Sequence, residues 1–158
     1  MKNPALSFSF AIAISIAAAV PASALSTGTV DHPATAKECS ACHMVFPPQL
    51  LPARSWTALM ADLGNHFGED ASLAPDVQAD IEAFLTANAA DAPANKGIRG
   101  LLRGLKDTDV PLRITETPWW TRSHNEISPK WYAKPEIKTA ANCAACHRGA
   151  NQGEFHED

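Results

Sequence analysis

Two five-residue stretches concentrate the reactive side chains of this sequence: Cys39-Ser40-Ala41-Cys42-His43 and Cys143-Ala144-Ala145-Cys146-His147. In each, two thiols stand three positions apart, so one helical turn presents both on the same face. Thiols at that spacing can form thioethers to the two vinyl groups of one porphyrin. A histidine beside the second thiol can then bring a ring nitrogen beneath the iron. This is the attachment signature of a c-type haem, written twice. Four cysteines could also hold structural zinc or form two disulfides, but neither use explains why histidine follows each second cysteine. Two covalent haem c groups consume Cys39, Cys42, Cys143 and Cys146, and no thiol is left over.

The similarity extends upstream. Thr35-Ala36 and Thr139-Ala140 precede their first cysteines at the same offsets, so both motifs are expected on helices that start alike. Thr35 and Glu38 fit a capping box. This is a short internal repeat and not a repeated domain.

His43 and His147 are proximal iron ligands by their place in the motif. The opposite haem faces must draw on His32, His66, His124, His156 or a methionine. Met44 is too close to His43 to turn back over the ring, and Met60 sits on an apolar stripe where methionine usually fills core space. His32 lies near the chain start and His156 in a polar tail, where order is weakest. His66 continues an apolar stripe, and His124 has tryptophans beside it. His66 is therefore the expected distal ligand of the first haem and His124 that of the second.

The elements that must position these groups are mainly helical. A helix is expected from about 52 to 66, with Trp56, Leu59, Met60 and Leu63 at core spacing. Another is expected over 75–89, opened by Pro75, with Val77, Ile81, Phe84 and Leu85 inward. The run Ile98, Leu101, Leu102 and Leu105 has helical spacing, with Lys96, Arg99, Arg103 and Lys106 along another face. Gly97, Gly100 and Gly104 weaken that helix by about 1 kcal/mol each relative to alanine. Thr117-Pro118 reads as a cap and first-turn proline. Beyond it, Pro129 and Pro135 predict an extended or turning path.

Lys2, the apolar run 6–20 and Ala22-Ser23-Ala24 have the form of a signal peptide over residues 1–24. No other segment could span a membrane. Two haem regions follow, 25–92 and 93–158, divided by the Ala-, Asp- and Pro-rich linker 89–94. Their charges differ: residues 25–92 carry 2 basic and 9 acidic side chains, and residues 93–138 carry 9 basic and 5 acidic ones. The acidic balance of the whole gives no expectation of nucleic-acid binding.

Residues 25–92 resemble a small monohaem cytochrome c in the order of their parts. Across most of the exported chain the sequence resembles the dihaem cytochromes c of bacterial periplasm. The matching blocks include Glu38 to Met44, Leu51 to Trp56, His66 to Ala71, Pro111 to Thr115, Pro118 to His124 and Asn142 to His147. The resemblance implies bis-histidine haems, a cytochrome-like N-terminal half and a more extended, irregular C-terminal half. It also implies electron delivery to an oxygen-binding monohaem cytochrome, with a membrane cytochrome b as donor. A monomeric periplasmic electron carrier with low-spin, low-potential haems is expected. The alternative is a small dihaem enzyme or ligand-binding cytochrome, of peroxidase or reductase type, with one open haem site.

Overall fold

The computed structural model describes residues 25–156; the signal peptide expected over 1–24 lies outside them. The described chain is mainly helical, with one two-stranded antiparallel sheet that joins its ends. Strand β1 (Leu25–Ser26) pairs with β2 (Glu154–Phe155), in register Leu25 with Phe155 and Ser26 with Glu154. Among the described residues no helix is long and apolar enough to cross a membrane.

The first half is built on three α-helices: α1 (Pro33–Cys39), α2 (Ala53–Ala61) and α3 (Pro75–Ala87). The stripe read from the sequence is the core. Leu51, Trp56, Met60, Ile81, Leu85 and Ala89 are buried together between α2 and α3. Trp56 also donates its indole N–H to the Pro48 carbonyl at 2.7 Å, so its one polar atom is not stranded. Gln78 ties the two helices through the Met60 carbonyl at 2.6 Å. Asn95, just beyond the linker, caps the end of α3 by donating to the carbonyls of Asn88 and Ala89 at 2.8 and 2.9 Å.

Several expectations need correction. The cap of α1 is His32, whose Nδ1 accepts from the Thr35 amide at 3.3 Å, so Thr35 lies inside the helix and forms no capping box with Glu38. His32 is also ordered, its ring 4.4 Å from that of Phe84 and its Nε2 3.4 Å from Asp80. Helix α2 ends at Ala61, not at residue 66, and the chain tightens into a 3-10 turn over Leu63–Asn65. Gly64 and Asn65 explain this, since both are poor helix formers. The run 93–102 is a 3-10 helix kinked at Asn95, not an α-helix. Gly97 and Gly100 soften it, and Gly104 (φ +94°) turns the chain away. Leu101 is buried, whereas Lys96, Arg99, Arg103 and Lys106 are exposed.

The second half holds α4 (Pro118–Ser123) and α5 (Pro129–Tyr132), joined by turns; α5 is a single helical turn where an extended or turning path was expected, because proline is tolerated in a helix's first turn. Thr117 caps α4 as its sequence context predicts. Its hydroxyl accepts from the Trp120 amide at 3.2 Å and donates to the Ile114 carbonyl at 2.8 Å. Arg54 stitches the halves together. It donates to the carbonyls of Asp109 and Lys106 at 2.6 and 2.9 Å and lies 3.7 Å from Asp91.

Candidate haem sites

The two cysteine motifs reach the same spacing by different backbones. Cys39 is the last residue of α1, and Cys42 and His43 follow in a bend. The second motif is not on an α-helix at all: Cys143–Ala145 form a single 3-10 turn, closed by the amides of Cys146 and His147 onto the Cys143 carbonyl at 3.1 and 2.8 Å. One turn suffices, because the chemistry needs only positions i and i+3 on one side. None of the four cysteines is engaged in a disulfide, which leaves each thiol for attachment. Burial pushes the Cys39 and Cys143 thiols up from their ordinary values.

The fold brings a second histidine to each motif. The His43 and His66 rings lie 6.2 Å apart between centroids, and those of His124 and His147 lie 6.1 Å apart. Both pairs span the same 23 residues, from 43 to 66 and from 124 to 147, but in opposite order relative to their cysteines.

His66 owes its place to a tight hairpin. Its amide and carbonyl exchange hydrogen bonds with Glu69 at 2.8 and 3.2 Å, around Phe67 (φ +59°) and Gly68 (φ +101°). Two successive positive φ angles are the mark of a type I′-like turn. Glycine adopts that state freely and phenylalanine does not. The Phe67 ring is held from outside by Arg113, whose guanidinium carbon lies 3.7 Å from its centroid. Burial pushes His66 below the ordinary histidine range, and His43 and Arg113 act in the same direction. Each of these favours the neutral ring, the form that binds metal.

His124 terminates α4, and its ring lies 4.4 Å from that of Trp120 at an interplanar angle of 14°. Its Nδ1 lies 2.9 Å from the Trp120 carbonyl. His43 Nδ1 lies 2.6 Å from the Met44 carbonyl, and His147 Nδ1 lies 2.9 Å from the His156 carbonyl. A carbonyl can only accept, so in all three rings Nδ1 carries the proton and Nε2 keeps its lone pair. That is the usual outer arrangement of a metal-binding histidine.

These residues fit two haem groups. With metal–nitrogen bonds of about 2 Å, one iron held between two imidazole nitrogens would place the ring centroids roughly 6 Å apart. Both observed separations match. The Tyr132 hydroxyl is buried beside the second motif without a partner, a donor left for a group in that site. Beside the first motif an open cleft of about 520 Å³ is lined by residues 40–45 and by Asn151 from the opposite end of the chain. Among the described residues no group of three or more His, Cys, Asp or Glu side chains converges as a zinc site would require. When bound, each haem supplies one-electron exchange between ferric and ferrous iron.

Two attachment motifs, each facing a second histidine, within a small helical fold define a c-type cytochrome with two haems. The family model for dihaem cytochrome c matches residues 35–155, and the chain belongs to that family, with two covalently bound haem c groups. It is similar to a diheme cytochrome c from Rhodobacter sphaeroides, at 55% identity over 81% of this chain and 99% of that one, with a TM-score of 0.73. A second structure from that organism, of DHC purified from Rhodobacter sphaeroides, is 50% identical over 80% and 99% of the two chains, with a TM-score of 0.67. The diheme cytochrome sb-DHC of Shewanella baltica OS155 is 35% identical over 78% and 85%, with a TM-score of 0.63. No curated protein sequence matches the chain.

Sequence reasoning missed Arg113, the left-handed Phe67 and the His156 carbonyl. For Phe67 a signal existed, since glycine follows it directly in a stretch bounded by polar residues. For the other two none did, because their partners are distant in sequence.

Proposed function

We propose that this protein is a periplasmic electron carrier whose two haems are both bis-histidine ligated, low-spin and low in potential. His43 and His66 ligate one iron, and His147 and His124 the other. Cys39 with Cys42, and Cys143 with Cys146, hold the two rings covalently. The observation that carries this is the pair of histidine separations, 6.2 and 6.1 Å, each matching the span of a doubly ligated iron. Two histidines per iron leave no position for substrate or oxygen, so each site can only gain and lose an electron. Histidine in place of methionine lowers the potential. A peroxidase or reductase would require one iron with an open position, and each motif here has a second histidine within reach.

The acceptor and donor are other redox proteins. By family resemblance the candidates are an oxygen-binding monohaem cytochrome and a membrane cytochrome b. The acidic first half and the exposed basic face of Lys96, Arg99, Arg103 and Lys106 give two differently charged approaches, which act on association rate more than on affinity. Absorption and electron paramagnetic resonance spectra of the oxidised protein test the ligation. Two low-spin haems, with no rapid carbon monoxide binding after reduction, are expected. A high-spin signal or fast binding at either haem would favour an enzyme or ligand-binding cytochrome.

A further inference from the structure

We propose that the clasp between the chain ends is a positioning device for the second haem, lowering that iron's reduction potential through the His156 backbone carbonyl. This rests on the bis-histidine ligation above. The carbonyl stands 2.9 Å from His147 Nδ1, at the end of a polar tail that would fray if left alone. Residues from the opposite end of the chain hold it. The Thr27 amide and hydroxyl both donate to the Gly153 carbonyl, at 2.8 and 3.1 Å. Ser26 donates to the Glu154 carboxylate at 2.6 Å, whose other oxygen lies 2.9 Å from His156 Nε2. At Gly153 (φ +76°) the two segments approach so closely that a Cβ would collide with the Gly28 carbonyl. Phe155 places its ring edge-on to that of His147, 5.9 Å between centroids.

A proton donated from Nδ1 to a fixed carbonyl makes the imidazole a more basic ligand and favours ferric iron. Losing that acceptor to mobile water weakens the effect and raises the potential. The first haem has no such dependence, because His43 donates to the carbonyl of its own neighbour, Met44. The clasp therefore acts on one iron and separates the two potentials.

The test uses the full haem-loaded protein. Thr27→Pro removes the amide donor at a site far in sequence from the second motif, and Gly153→Val forces the strands apart from the other side. Redox titration followed by absorption reads both midpoint potentials. Both variants should raise the second potential by roughly a tenfold change in the one-electron equilibrium, about 59 mV, and leave the first unmoved. Ser26→Ala spares the backbone pairing and should give a smaller shift of the same sign; it decides the matter if the other two lose haem. Wild-type potentials in the variants overturn the proposal, and so does an equal displacement of both haems. A high-spin wild-type spectrum would instead overturn the ligation on which it rests.

Discussion

The Arg113 guanidinium lies 3.7 Å over the Phe67 ring, so a cation from the second half of the chain covers the turn that presents His66 from the first. A positive charge near an iron favours its reduced form. Arg113→Gln should therefore lower the potential of the first haem and spare the second. Both partners are solvent-exposed, so the effect is screened. Glu116, 3.8 Å from the Arg113 guanidinium, offsets part of the charge, so the shift should be small and should shrink further as salt rises. Potentiometric titration of the variant checks it, and Arg113→Lys should recover most of the loss.

Removing one distal histidine should open one haem alone. His66→Ala is expected to give a high-spin first haem that binds carbon monoxide within the mixing time, while the second stays low-spin. His124→Ala should give the mirror result. If either variant disturbs both haems equally, the assignment of one histidine to each iron fails.

Arg54 makes two bonds to backbone carbonyls with a planar fork, at 2.6 and 2.9 Å. Lysine keeps the charge but cannot reproduce the fork. Arg54→Lys should cost about 1–2 kcal/mol, since bonds from charged donors exceed neutral ones. Denaturant unfolding of the haem-loaded protein measures it. An unchanged midpoint would mean that the 106–109 segment is held by other contacts.

The clasp should loosen in acid. The Ser26 hydroxyl bond holds the Glu154 carboxyl below its ordinary value of 4.5, with His156 acting in the same direction. A group lowered on folding stabilises fully above its unfolded pKa, and that stabilisation is lost as pH falls through the folded value. Protection factors at the Thr27 and Glu154 amides, taken against the intrinsic rate at each pH, should accordingly fall below about pH 4.5, while the α2–α3 core keeps its protection. In Glu154→Gln this added pH dependence should vanish.

The sequence alone determined the cofactor, its number and its family. Covalent attachment needs two thiols and a histidine within five residues, and such chemistry is local. It likewise determined the α2–α3 core, whose apolar stripe follows from helical periodicity, and the Thr117 cap, which needs only its own neighbours. Helix ends were less legible. Whether residues 62–66 stay helical is a contest between weak propensities, and tertiary packing decides such contests. His66 and His124 were singled out as partners by their neighbours in sequence, but only the folded chain set the spacing at which each meets His43 or His147, and only it decided that a left-handed Phe67 is held by Arg113 and that His156 supplies a carbonyl to His147. Each of these joins residues between nine and forty-six positions apart, where no local pattern sets the contact. Distance in sequence hides such contacts; burial and hydrogen-bond satisfaction select them once the chain has closed on itself.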